Sequence, residues 1–390
     1  MIVVDVLIVA ILVLAVAAGV ARGLFASLGT LLGLVAGGVA AAWLVPLVNA
    51  WLPTPTLRSV ASLGAAVALL ALGAAIGGVI GKALRTGADR IRLRGVERFL
   101  GGVAGLLVAV FGVALVAPAI TLTGAPAVAS AIASSRVLQT IDLLTPDPLD
   151  AAMAELRGAL VEDGLPRLRE LLVPGTAPLA PPVALDDPQL QRAAASVARI
   201  FGTAYACGTS SSGSGFVAAP GLVVTNAHVV AGVDDPVVQL PGREAREGRL
   251  VWFDPVDDLA VIAVDGLDAA PLEVAPTLAE GAAAAVQGYP HGGPFVSVPA
   301  HVLSVGIVPV PDIYDGGTAL REIYALETDV QPGNSGGPLL SADGRVAGVV
   351  FARGEDGDAR GYAMTPTELA PALAAASASG PTVSSGACLR

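Results

Sequence analysis

The chain has 390 residues, 54% of them hydrophobic, and a formal net charge of −11, enough length for two or three domains. Those averages join two unlike parts: residues 1–119 carry eight Lys/Arg against three Asp/Glu, and residues 120–390 carry fourteen against thirty. The acidic larger part has no basic stripe to neutralise phosphates, which argues against nucleic acid as a partner.

Four apolar runs open the chain, at roughly 2–21, 24–48, 59–81 and 99–122. Each approaches the ~20 residues that a helix needs to cross a bilayer. Asp5, near one end, is the only charge inside them. The first run lacks a basic n-region and three more come after it, so a four-span membrane region over 1–123 is expected, not a cleaved signal peptide. The loop before the fourth run holds Lys82, Arg85, Arg90, Arg92, Arg94 and Arg98. Basic loops stay in the cytoplasm, so the N-terminus and everything after residue 123 are expected outside it. Arg22 agrees with this orientation and Arg58 runs against it. Glycines recur every four residues (Gly29, Gly33, Gly37; Gly73, Gly77, Gly81; Gly101, Gly105), a spacing that lets helices of one chain approach closely in lipid. No ionisable residue sits mid-span, so the spans read as an anchor and not as an ion pathway.

Asp5 in VDVLIVAILVLAVAAG, Gly19 and the pair Arg22-Gly23 carry a resemblance to the colicin V production (CvpA) family of small membrane proteins, over roughly residues 1–165. A connector over 124–188 comes next. Apolar residues at three-to-four spacing predict helices near 127–144 and 149–172, the second broken at Gly164-Leu165-Pro166. The proline-rich PGTAPLAPPVALDDP, 174–188, predicts a semi-rigid extended linker and an exposed site for autoproteolytic release.

From about residue 190 the pattern changes to short β-branched runs broken by glycine and proline, such as GFVAAPGLVVT and LAVIAV. Many short strands with turn signals between them predict an all-β sandwich or barrel. Three histidines occur: His228, His291 and His301. His228, in TNAHVV, sits where a strand runs into a short helical turn and is the candidate general base. His291, in a Gly/Pro loop, and His301, in a strand, read as structural. Ser335, in QPGNSGGPLL, is the candidate nucleophile. Its flanking glycines let the stretch Gly333-Asn334-Ser335 turn tightly, so that the Gly333 and Ser335 amides converge on an oxyanion. The third member is a buried acid that orients the imidazole. Asp258, entering an apolar strand, is the candidate, with Asp257 and Asp254 as competitors. The order His, Asp, Ser is that of chymotrypsin-type enzymes.

The pieces GSGFV (213–217), TNAHVV (225–230), DLAVI (258–262), TDVQPGNSGGPL (328–339) and GYAMT (361–365) make residues 190–375 similar to trypsin-like proteases of the HtrA/Deg group. That resemblance implies a chymotrypsin-like double β-barrel over 189–390, with the active site in the cleft between barrels, and the roles just given to His228, Asp258, Ser335 and the Gly333 amide. The whole layout resembles the actinobacterial membrane-anchored proteases of the MarP type. Only 25 residues follow Thr365, too few for the PDZ domains that HtrA proteins add. Asp329 lies six residues before Ser335, where enzymes that cut after Arg or Lys place their S1 acid; a structural Thr-Asp pair is the stronger reading.

Cys207 and Cys388 are the two cysteines. In an extracytoplasmic domain they are expected to form a disulfide that straps the tail, and they cannot form a metal cluster. Neither metal nor cofactor is expected. The function expected is a membrane-tethered periplasmic serine endopeptidase acting on envelope proteins in stress or acid resistance. The alternative is a membrane transport or scaffold protein whose β-domain only binds.

Overall fold

The computed structural model describes residues 2–51, 55–88, 94–121, 131–132, 134–146, 149, 152–153, 165–168, 172, 175–204, 209–355 and 359–389. The chain divides into two compact units: Met1–Ile120 with Ser134–Glu162, and Thr121–Ala133 with Asp163–Arg390.

The first unit is helical. It contains α1 (Ile2–Arg22), α2 (Leu24–Trp51), α3 (Pro55–Ala88), α4 (Arg94–Thr121) and α5 (Arg136–Leu144). Among the described residues, three helices hold stretches long and apolar enough to cross a bilayer: Val3–Arg22, Leu24–Ala41 and Gly95–Ala114. Helix α3, which covers the expected third span, is 34 residues long, and its apolar stretch among the described residues is Val67–Ala83. Leu14, Leu32, Trp43, Val79 and Phe99 are exposed on these helices, as lipid-facing side chains are.

The four-residue glycine spacing has an intramolecular explanation. A Cβ on Gly33 would stand 2.0 Å from the Gly73 carbonyl oxygen, and one on Gly29 would stand 2.1 Å from that of Gly77. Helices α2 and α3 therefore touch backbone to backbone. Helices α1 and α4 do the same, with the Gly19 Cβ position 2.2 Å from the Gly101 oxygen. Asp5 also has a structural task. Its Oδ1 accepts hydrogen bonds from Ser135 Oγ (2.6 Å) and the Val137 amide (3.3 Å), which ties α1 to the first turn of α5.

Most of the expected helix at 149–172 lies outside the described residues, as do 127–130 of the one before it. The end of the second helix differs from expectation. Arg167–Leu168 is a short strand, β1, paired in parallel with Arg353 and Gly354. Pro166 explains the change: it ends helical geometry, and its carbonyl accepts the Arg353 amide at 3.0 Å.

The second unit holds fourteen strands, three short α-helices and one 3-10 turn (Pro290–Gly292) among its described residues. The proline-rich stretch is extended, but it lies along this unit instead of standing clear of it. The Gly175 and Ala180 amides donate to the Leu303 and Gly281 carbonyls, both at 2.8 Å. Asp187 Oδ1 then accepts the Gln189 amide at 2.7 Å and caps α6 (Pro188–Ala194).

One seven-stranded sheet runs in the order β6-β5-β2-β3-β4-β8-β7. Its members are β2 (Val197–Ala204), β3 (Thr209–Ala219), β4 (Leu222–Thr225), β5 (Val237–Gln239), β6 (Arg246–Glu247), β7 (Arg249–Asp254) and β8 (Leu259–Ala263). The edge strands β6 and β7 are separated by Gly248 alone, so one continuous segment meets both ends of the sheet. The other sheet, β1-β13-β12-β9-β10-β11-β14, has an additional β13–β14 pairing that turns it back on itself. It contains β9 (Ala283–Gly288), β10 (Val296–Pro311), β11 (Thr318–Glu327), β12 (Pro338–Ser341), β13 (Val346–Gly354) and β14 (Arg360–Met364). Helix α7 (Ala227–Val230) comes after β4, and α8 (Pro366–Ala375) after β14.

Side chains alternate along these strands, as strand geometry requires. Val223, Ala260 and Ile262 fill the inside of the first sheet with Ile200, Val217 and Leu250. Val286, Val302, Leu326 and Leu339 fill the second. The opposite faces meet in a shared core that includes Phe216, Val224, Leu259, Val261, Ile323, Val349 and Phe351. Strand β8 is thus covered on both faces, which explains the unbroken apolar run LAVIA.

Candidate active site

Antiparallel pairing of β4 with β8 builds the first half of the site. Its register sets Thr225 opposite Ala260 and Leu222 opposite Ala263. The end of β4 therefore lies beside the start of β8, and the residues just beyond, Asn226–His228 and Asp257–Asp258, are brought together. His228 Nδ1 is 2.7 Å from Asp258 Oδ2, and its backbone N–H donates to Asp258 Oδ1 at 2.9 Å. Both carboxylate oxygens are thus spent on one residue. His228 and Asp258 are 5% and 2% exposed, so solvent scarcely reaches the pair. With Oδ2 as the acceptor, the imidazole proton resides on Nδ1. Nε2 is buried and has no hydrogen-bond partner among the described residues, so its lone pair is available.

Asp258 has φ +52°, a strained value for a residue with a side chain. Asn226 Nδ2 holds it there by donating to the Asp258 carbonyl at 2.8 Å. Of the competing acids, Asp254 Oδ1 accepts the amides of Val256 and Asp257 in a local turn. Asp257 faces Arg321, at 3.8 Å, and does not contact His228. Burial pushes the Asp257 carboxyl up, with Asp254 adding to the rise and Arg321 opposing it.

The Ser335 turn is anchored on two sides. On one, the Gly336 amide donates to the Val350 carbonyl (2.8 Å), and the Val350 amide to that of Gly337 (2.9 Å). On the other stands Ser214, fully buried in β3. Its amide donates to the Ser335 carbonyl at 2.7 Å and its Oγ to the Gly333 carbonyl at 2.7 Å. Ser214 also accepts, from the Tyr289 amide at Oγ and from Thr225 Oγ1 at its carbonyl. The turn lies against the histidine segment: a Cβ on Gly336 would stand 2.9 Å from the Asn226 amide nitrogen.

Gly333 has φ +94°, and a Cβ there would meet the Tyr289 carbonyl oxygen at 2.4 Å. Only glycine fits. The Asn334 amide is used within the turn, donating to the Gln331 carbonyl at 3.0 Å, while Asn334 Oδ1 accepts the Gln331 amide. The amides of Gly333 and Ser335 make no hydrogen bond among the described residues. Ser335 itself is 3% exposed.

The other expected positions lie apart from this chemistry. His301 Nε2 is 3.0 Å from the Ala180 carbonyl and holds the proline-rich stretch. The His291 amide donates to the Pro332 carbonyl, supporting the loop beside Gly333. Asp329 is exposed and accepts from Gln331 Nε2, whereas Thr328 Oγ1 donates to Pro299 O. Cys207 lies outside the described residues. Ser214, Asn226 and Arg321 carry much of the architecture, although none is an expected site residue. Ser214 and Asn226 sit inside GSGFV and TNAHVV, so their motifs are visible in the sequence even though their bonds are not.

Two packed antiparallel sheets, with a buried His–Asp pair and a glycine-bounded serine turn, define the class of trypsin-like serine proteases. The family model described as "Trypsin-like peptidase domain" matches residues 213–349, and "Colicin V production protein" matches residues 4–146. Serine protease Rv3671c of Mycobacterium tuberculosis (strain H37Rv) is 36% identical over 271 residues, covering 68% of this chain and 67% of that protein. The chain belongs to this family of membrane-anchored, MarP-type serine proteases. The crystal structure of the Rv3671c protease in its active form aligns with TM-score 0.53 over 58% of this chain and all of that one. A probable periplasmic serine endoprotease of the DegP-like kind from Pseudomonas savastanoi is 36% identical over 148 residues, covering 36% of this chain and 29% of its own.

Proposed function

We propose that this protease works through a triad of His228, Asp258 and Ser335. The observation that carries the proposal is the buried His228–Asp258 pair, with Nδ1 engaged at 2.7 Å and Nε2 unpaired among the described residues, on a segment that packs against the Ser335 turn at Asn226 and Gly336. Ser335 Oγ attacks the scissile carbonyl carbon while His228 Nε2 takes its proton. Asp258 holds the resulting imidazolium without accepting the proton. Collapse of the tetrahedral intermediate expels the amine, which leaves with that proton, and forms an acyl-Ser335 ester. Water then attacks the ester with His228 again as base, releasing the acid product and restoring Ser335. The oxyanion donors in this reading are the Gly333 and Ser335 amides. Asn334 contributes by shaping the turn, because its own amide is already engaged.

The same reading extends to the membrane setting. The four apolar runs are four spans, the basic loop is cytoplasmic, and the protease lies outside the cytoplasm with envelope proteins as substrates. The two sheets are the two barrels of a chymotrypsin-like fold. Support comes from the ring of pairings in the second sheet and the β6–β7 segment that joins the edges of the first. A Cys207–Cys388 disulfide fits this location. In its favour, the described residues include no free cysteine, and the tail leading to Cys388 is strapped down: Val383 N donates to Leu250 O (2.9 Å) and Gly232 N to Ser385 O (3.0 Å). Tolerance of envelope stress, acid stress included, and self-cleavage in the connector belong to the same reading.

Hydrolysis of a peptide library by the full-length protein in detergent tests the mechanism. Wild type is expected to cleave at defined sites and Ser335→Ala to leave every peptide intact. Cleavage of the same bonds by folded Ser335→Ala would overturn it.

A further inference from the structure

Beside the acidic turn that carries Asp257 and Asp258 lies a buried cation that the mechanism above does not use. Arg321, on β11 of the second sheet, is fully buried. Its Nη2 donates to the Pro311 carbonyl at 2.8 Å, across the β10–β11 hairpin. Nε and Nη1 make no hydrogen bond, although Nε stands 3.8 Å from Asp257 Oδ1. The same hairpin reaches the acidic turn through its backbone, where the Ile313 amide donates to the Pro255 carbonyl at 3.1 Å. A buried guanidinium with two unused donor groups is costly unless negative charge surrounds it. Here the carboxylates come from three elements: Asp254, Asp257 and Asp258 from the turn before β8, Asp312 from the β10–β11 loop, and Glu368 from α8. Burial pushes the Arg321 guanidinium down from its ordinary value, and the charges of Asp258, Asp257, Glu368 and Asp254 oppose that shift.

We propose that Arg321 is a positioning residue for the active site: from the second sheet it fixes the turn 254–258 and counterbalances the charge of Asp258. The proposal rests on the triad reading, since it acts through Asp258 on His228. Asp258 is held at positive φ by Asn226 on one side, and Arg321 supplies the opposing electrostatic hold. The charge also acts on basicity. A cation beside Asp258 weakens the carboxylate's hold on the imidazolium that forms when His228 takes a proton. Asp257 works in the opposite sense, because it competes for the same guanidinium and adds negative charge.

The test is the pH profile of inactivation of the full-length protein by a fluorophosphonate, which needs no knowledge of the natural substrate. Labelling of wild type that depends on Ser335 establishes the triad first; its absence would sink both readings together, whereas an unmoved limb in a protein that labels sinks only this one. With it in place, Arg321→Met is expected to move the acid limb of the rate profile up by about half a pH unit, roughly threefold slower at the foot of the limb. Arg321→Lys should return it part of the way, and Asp257→Asn should move it down. A merely structural role would lower the plateau and leave the limb in place. Folded Arg321→Met with an unmoved limb would overturn the proposal. If Arg321→Met does not fold, Asp257→Asn decides, and a limb unmoved or raised in that variant counts against it.

Discussion

His228 illustrates what one residue requires of its neighbours. Its Nδ1 is engaged by Asp258, its backbone N–H is held by the same carboxylate, and Nε2 has no partner among the described residues. Asp258→Asn keeps the shape of that pair but forces the wrong tautomer, and kcat is expected to fall by about 10⁴ with little change in melting temperature. Steady-state kinetics beside a thermal melt checks this; a loss under tenfold would count against Asp258. Gly333 makes a second residue-scale claim. Its φ of +94° and the Tyr289 oxygen 2.4 Å from any Cβ mean that Gly333→Ala must shift the turn. That misaims one oxyanion donor, for which kcat should drop about 10²–10³-fold. At this scale the sequence is informative for His228 and Ser335, because their motifs bring type and spacing together. It leaves Asp258 open against Asp257 and Asp254, since three carboxylates within five residues look alike until the β4–β8 register chooses one. Arg321 carries no signal, as a lone arginine in TALREIYALE reads as an exposed strand position.

At the scale of elements, the glycine stripes of α2 and α3 are contact surfaces between neighbours in one chain. Any side chain on Gly33 strikes the Gly73 carbonyl. Gly33→Leu is therefore expected to push the two helices apart and lower the temperature at which the detergent-solubilised protein loses its monodisperse elution peak. Fluorophosphonate labelling at room temperature should stay at the wild-type level. An unchanged elution profile would argue that the close approach contributes nothing. The helices themselves are plain from hydropathy. Of the third, the apolar stretch among the described residues is Val67–Ala83, which overlaps the run expected at 59–81. Strand β1 is hidden, because Arg167–Leu168 becomes a strand only through its long-range pairing with β13, and Pro166 marks a break in the helix without specifying a strand after it.

For the whole molecule, the two sheets are joined across the active site by charge as well as by the shared apolar core. Glu368 of α8 is part of this junction: its Oε1 accepts the Glu322 amide at 2.7 Å. Burial, more than the neighbouring Asp257 and Glu322, pushes its carboxyl up; the Glu322 amide and Arg321 oppose the shift. The folded protein thus binds this proton more tightly than the unfolded chain does. The stabilisation from that proton is full below the ordinary glutamate value of about 4.3 and is lost as pH rises through the folded value. Glu368→Gln keeps an acceptor for the Glu322 amide and cannot ionise. It is expected to melt above wild type near neutral pH, with the gap closing as pH falls towards 4. A gap that is constant from pH 4 to 8 would contradict this.

Hydrolysis at Ser335 on a membrane-anchored chain is the claim on which all of this depends. The most direct measurement is to label the full-length protein in membranes with a fluorophosphonate and locate the adduct by mass spectrometry of its peptides. One adduct, on Ser335, absent from His228→Ala and from Ser335→Ala, is the predicted result. A folded wild-type protein that takes up no probe, or takes it up equally in the His228→Ala variant, would contradict the account.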